Sequence, residues 1–141
     1  MLQQDYIMRL IREFFAALQR ALEKNELEDR TKALHELYEQ YVGPYEFYQA
    51  ATIEQVMEKI EEYPEEQRIH RMEMLAELYY VEAGMRSAPV AEQLYMQAYL
   101  LFRFIDTHSG LYSLERRKKI EEIEQKLKMG NSLNPSMKKE N

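Results

Sequence analysis

The sequence contains no cysteine and only four glycines and four prolines in 141 residues. Without cysteine, a disulfide framework, a thiolate metal site and a cysteine nucleophile are all excluded. The few glycines are too widely scattered to form a glycine-rich phosphate-binding loop. Because helix-breaking residues are scarce and Glu, Leu, Met, Gln, Lys and Ala are abundant, the composition favours an all-α fold.

Long hydrophobic runs are also missing. No segment reaches the ~18 unbroken apolar residues that a membrane span needs. Asp5, Arg9 and Arg12 interrupt the apolar residues at the N-terminus, so this region does not match a signal peptide. Since the absence of cysteine also fits a reducing compartment, we expect a cytoplasmic protein.

The net charge of −6 is unevenly distributed along the chain. Residues 25–114 contain seven basic and 17 acidic residues and carry a net charge of −10, whereas residues 115–141 contain eight basic and five acidic residues. The acidic middle of the chain would repel a phosphate backbone. We therefore do not expect nucleic acid to be a partner.

Apolar residues recur at helical spacing in six segments, which predicts about six helices packed as antiparallel hairpins in one domain, residues 1–128. Residues 129–141 show no such pattern, and we expect them to form a disordered tail. The segment 88–106 is apolar on nearly every side, so we expect it to be the central helix. The predicted helices span residues 3–24, 28–42, 53–62, 64–83, 88–106 and 114–127.

Aromatic residues concentrate after the second predicted helix and within the fourth and fifth. An exposed aromatic cluster can form a binding surface, whereas buried rings more often cap the end of a helical bundle. The residue pattern leaves both interpretations open. The candidate binding residues are Tyr41, Tyr45, Phe47 and Tyr48 around the turn, and Tyr80 and Tyr99 in the two later helices.

No arrangement of residues in the sequence indicates catalysis, a metal site or a cofactor. His35, His70 and His108 lie in three different segments, and neither Glu-x-x-His nor His-Glu-x-x-His occurs. The serines lie at predicted caps, at turns or in the tail, where a hydroxyl has a local structural role, and no Gly-x-Ser-x-Gly motif is present. We therefore expect a non-enzymatic protein without a cofactor.

A basic run from Arg116 to Lys119 could bind anionic lipid or RNA. Three glutamates follow it at helical spacing, and they are Glu121, Glu122 and Glu124. Intrahelical ion pairs on a solvated face are therefore the favoured interpretation of this run.

Two sets of residues have the spacing of a helical repeat. The first set is Leu75, Ala76 and Tyr79 in the fourth predicted helix, and the second is Ala91, Tyr95 and Ala98 in the fifth. The first set resembles the large, small and aromatic positions in helix A of a tetratricopeptide repeat, and the second resembles the small, aromatic and small positions of helix B. The turn between the helices is about three residues longer than in the repeat, and the closing proline is missing. The resemblance implies one tetratricopeptide-like hairpin rather than a regular array.

Both ends of the chain carry a second resemblance. The opening segment Asp5-Tyr6-Ile7-Met8-Arg9-Leu10-Ile11 and the closing segment Gly110-Leu111-Tyr112-Ser113-Leu114-Glu115-Arg116 flank the repeat-like hairpin. In these motifs the chain resembles a family of small bacterial all-helical proteins of unknown function. This resemblance implies the fold and brings no activity, cofactor or catalytic residue.

Three functions are compatible with these observations. The first is a protein-interaction or scaffolding domain, because tetratricopeptide-like folds generally bind peptides or partner helices on a concave face. The second is a helical homodimer that uses extra apolar positions at Phe15, Met74, Leu78 and Val81. The third is a small-molecule or lipid-binding protein, or an enzyme of unfamiliar type, with an internal pocket lined by Tyr79, Tyr80, Tyr95 and Tyr99.

Overall fold

A computed structural model describes residues 2–129 of the chain, with side chains from residue 4 onward. Every regular element in this range is a helix, so the all-α fold predicted from composition and periodicity is confirmed. In chain order the helices are α1 (Leu2–Leu22), α2 (Leu27–Tyr41), α3 (Tyr45–Ala50), α4 (Ile53–Ile60), α5 (Glu65–Ala83), α6 (Val90–His108) and α7 (Leu114–Lys126).

The six predicted helices are all present, and their boundaries agree with the prediction to within two residues. The additional helix, α3, covers the aromatic segment after Pro44, for which the periodicity predicts no helix. Thr52 caps α4 through a reciprocal pair of hydrogen bonds with Gln55, and the Ser113 hydroxyl accepts the backbone N–H of Arg116 at the start of α7. These caps explain why both helices begin where they do.

The central helix is α5. It packs most extensively against α6 and also contacts α1, α2 and α4. Eleven of its residues are buried, compared with six in α6, so the expectation that the segment 88–106 is central is wrong. The physical reason is that α5 buries polar side chains that find partners inside the protein. A pattern of apolar residues therefore does not indicate how deeply this helix is buried. The buried polar side chains of α5 are Gln67, Arg71, Glu77 and Glu82.

The helices pack as pairs around one core. α1 packs against α2, α5 packs against α6, and α7 packs on the outer side of this second pair against α6. Both α1 and α2 also contact α5, which joins the two pairs. Large rings fill the space between them, among them the fully buried side chains of Phe14, Tyr38, Tyr79 and Phe102. This packing leaves α1 and α7 on either side of α5.

The predicted tail begins at Met129, which is the last described residue. Its side chain is partly buried and packs against the core cluster. The other residues of the predicted tail, 130–141, lie outside the described residues.

Candidate interaction groove

A groove runs between α1 and α7, and α5 forms its floor. It consists of two adjoining cavities of about 360 and 390 Å³. Phe15, Glu77 and Lys119 line both cavities, so the two form one continuous surface.

One half of the groove is apolar. Phe15, Leu18 and Leu22 from α1 lie opposite Tyr80 and Val81 from α5. Leu22 is 42% exposed even though it ends the apolar stripe of α1. Large apolar side chains that stay accessible beside a cavity are typical of an interaction surface.

A partly buried ion pair separates the apolar half from the charged half. The ammonium group of Lys119 on α7 donates to both carboxylate oxygens of Glu77 on α5 at 2.9 Å. Burial raises the pKa of Glu77, Lys119 opposes this effect, and the negative charges of Glu73 and Glu115 raise the pKa further. The same ammonium group lies 5.5 Å from the ring centroid of Tyr80. The ion pair thus fastens α7 to the floor of the groove.

Two other residues of the basic run, Arg116 and Arg117, pair with α6. Arg116 Nε donates to Asp106 Oδ1 at 3.0 Å, and Arg117 Nη1 donates to Asp106 Oδ2 at 2.8 Å. Hydrogen bonds from Arg117 and Arg116 hold the pKa of Asp106 below its usual value. Arg116 Nη2 also donates to the main-chain oxygen of Leu111 at 2.6 Å. The expectation of intrahelical pairs is therefore corrected, because these partners, like that of Lys119, lie outside α7.

The four candidate residues around the α2–α3 turn differ in burial. Tyr41 and Tyr48 are 4% and 1% exposed and belong to the core. Tyr45 and Phe47 are partly buried. A separate cavity of about 290 Å³ lies at this turn and is lined in part by Tyr48 and Tyr63. The rings of Phe47 and Tyr48 contact each other, with centroids 5.0 Å apart, whereas the ring of Tyr45 packs on Tyr38 and that of Tyr41 on Phe14. The role of the four residues in binding stays a prediction.

The other two candidate residues, Tyr80 on α5 and Tyr99 on α6, form hydrogen bonds with different glutamates of α7. Tyr80 lines the groove, and its hydroxyl donates to Glu122. Tyr99 is 9% exposed, and its hydroxyl donates to Glu124 at 3.0 Å. The neighbouring ring of Tyr79 points away from both, because its hydroxyl donates to the main-chain oxygen of Tyr48 at 2.7 Å. Of the six candidate binding residues, Tyr80 is the one that lines the groove.

The sequence contains only a partial signal for the groove. Phe15 and Val81, which belong to the predicted extra apolar positions, both line it. Met74 and Leu78 from the same set are fully buried in the core instead. Glu77 carries no distinguishing signal, because it is one of 25 acidic residues spread along the chain.

Among residues 2–129, no three His, Asp or Glu side chains are grouped so that they could hold a metal ion. None of the helices in this part of the chain combines the length and the apolar character needed to cross a membrane. Comparisons with protein-family models, with curated proteins and with solved structures return no match to the chain. The candidate site therefore depends on the geometry and chemistry of the groove.

Proposed function

We propose that the protein is a non-enzymatic interaction or scaffolding domain that binds a segment of a partner protein in the groove between α1, α5 and α7. The continuous groove with an accessible apolar half is the observation that carries this proposal. Accessible apolar side chains gain free energy when a partner removes them from water. The ion pair between Glu77 and Lys119 fastens the α7 wall to the floor of the groove, which favours a preformed site.

The order in which the helices pack supports a tetratricopeptide-like arrangement. α1 contacts α2 and α5, α2 contacts α5, α5 contacts α6, and α6 contacts α7. Stacked helical hairpins contact their neighbours in this order, and the first helices of successive hairpins line one common face. In this chain α1, α5 and α7 hold those positions, and α3 and α4 are inserted between the first two hairpins. The groove is then the counterpart of the concave binding face.

Site-specific photo-crosslinking in the cells that naturally express the protein tests the proposal. A photoreactive amino acid replaces Gln19 in the groove, and the same amino acid replaces Glu58 on the exposed side of α4 as the control. We expect a discrete adduct from position 19 that is absent from position 58 and is lost in the Leu22→Asp variant. Identical adducts at both positions, or no adduct from position 19 at full expression, would contradict the proposal.

Self-association is the second candidate function, and the segment between α6 and α7 favours it. Leu111 and Tyr112 are 72% and 77% exposed, and Leu114 at the start of α7 is 55% exposed. Arg116 is buried and holds the main chain at Leu111 through its guanidinium group. The segment therefore presents three apolar side chains from an anchored backbone, which is a feature of association surfaces.

A further inference from the structure

The charge of the groove discriminates between classes of partner. Five charged residues line its charged half, and they are Glu73, Glu77, Glu115, Arg116 and Lys119. Both cations are already paired within the chain, Lys119 with Glu77 at 2.9 Å and Arg116 with Asp106 at 3.0 Å. Glu73 and Glu115 therefore supply the charge that faces an incoming group, and that charge is negative.

The local field supports the same conclusion. Burial raises the pKa of Glu77, and the charges of Glu73 and Glu115 raise it further against the effect of Lys119, so three carboxylates act around one ammonium group. The nearest other basic group to Glu73 is the His70 imidazole on the same helix, at 3.9 Å from Nδ1 to the carboxylate. A cationic group is attracted into this half, whereas a carboxylate or phosphate is repelled. This argues against a fatty acid or a phosphorylated ligand.

The distance between the two halves sets the spacing of the partner's groups. Val81 follows Glu77 by four residues and Glu73 by eight, which is ~6–12 Å along α5. Since residues 2–129 contain no group of three metal-ligating side chains, a metal ion is not the cation that this spacing fits. On a helical or extended segment, an apolar side chain and a cationic side chain can stand this far apart.

We infer that the groove binds an amphipathic segment with one apolar side chain seated between Leu18, Leu22 and Val81. A lysine or arginine one or two helical turns from that side chain pairs with Glu73 and Glu115. The inference rests on the proposed function and adds the chemistry of the partner to it.

Selection from a random peptide library displayed on phage tests this inference with the full-length protein. We expect the recovered peptides to combine a Leu, Ile or Phe with a Lys or Arg four to eight residues away, the spacing that ~6–12 Å of helix gives. Titration of a recovered peptide against the variant Glu73→Gln/Glu115→Gln should show binding weakened by about three- to tenfold, since two partly exposed ion pairs are lost. The matched control Glu54→Gln/Glu58→Gln on α4 removes the same charge outside the groove and should bind as the wild type does.

The possible outcomes separate the inference from the proposed function. Peptides that need Leu22 but carry no basic residue would overturn the inference and leave the proposed function standing. If every peptide selected with the wild-type protein binds the Leu22→Asp variant equally well, both the inference and the proposed function would be overturned. Circular dichroism of each variant confirms that the helices are retained.

Two further experiments, one by competition and one by sedimentation, address other occupants of the groove. Displacement of the peptide by oleate would show that the groove accepts an anionic lipid, and this would overturn the inference. The wild-type protein could also sediment as a dimer that the Leu22→Asp variant does not form. This result would assign the groove to a second copy of the chain and would overturn the inference. We expect neither result.

Discussion

Glu82 joins three helices through one buried carboxylate that is 3% exposed. It accepts hydrogen bonds from the hydroxyls of Tyr38 at 2.9 Å and Tyr45 at 2.6 Å, from the Gln49 amide at 3.0 Å and from Arg86 at 2.7 Å. A buried carboxylate is costly unless donors satisfy it. Burial and the charge of Glu82 raise the pKa of Tyr38 well above its usual value, which keeps that hydroxyl protonated as a donor. These contacts link α2 and α3 to α5.

Replacing Tyr38 by phenylalanine removes one of these donors and leaves the ring in place. We expect Tyr38→Phe to lower the free energy of unfolding by about 1.5–3 kcal/mol, the range for a hydrogen bond to a charged group. Urea denaturation measures the change. The control is Tyr6→Phe at a ring that is 43% exposed, for which a change within about 0.5 kcal/mol is expected. Equal effects of the two substitutions would show that the buried bond contributes nothing net.

Six of the helices in the described range could be predicted because each of them carries a local signal, whereas the short helix α3 could not. Thr52 and Ser113 mark two helix starts, and an apolar stripe marks each longer helix. Which helix is the most buried could not be predicted, because polar residues of α5 pair with residues that are distant in the sequence. Arg71, for example, donates to the main-chain oxygen of Tyr41 at 2.7 Å. The charged part of the groove could not be predicted either, since Glu77 pairs with a lysine that lies 42 residues away in the sequence.

The turn between α2 and α3 depends on Gly43. Its φ of +142° is a conformation that residues with a side chain rarely adopt, and an added Cβ would lie 3.1 Å from Tyr48 Cε2. We expect Gly43→Ala to lower the free energy of unfolding by about 1–3 kcal/mol, measured by urea denaturation. Gly84 has a helical φ of −69° and ordinary contacts, so Gly84→Ala should be neutral or stabilising by up to about 1 kcal/mol. A similar loss in both variants would contradict the conformational explanation.

At the scale of the whole molecule, the groove and the α6–α7 segment are two of the surfaces that leave apolar groups accessible within residues 4–129. The groove is a concave surface whose α7 wall is fastened to α5, whereas the α6–α7 segment projects Leu111, Tyr112 and Leu114 outward. A stable dimer buries ~800 Å² on each partner. Three projecting side chains supply only a fraction of such an area, so the segment is better suited to a weak or transient contact than to a permanent dimer.

Sedimentation velocity over a range of concentrations tests the contribution of this segment. We expect a monomer at low micromolar concentration and weak association with a Kd on the order of 0.1–1 mM, because the accessible apolar area is small. The variant Leu111→Ser/Tyr112→Ser should stay monomeric throughout. Leu27→Ser, at a leucine that is 53% exposed at the start of α2, should associate as the wild type does. A dimer that persists at low micromolar concentration and survives the double substitution would place the contact elsewhere. The groove would then be the next surface to block, with Leu22→Asp.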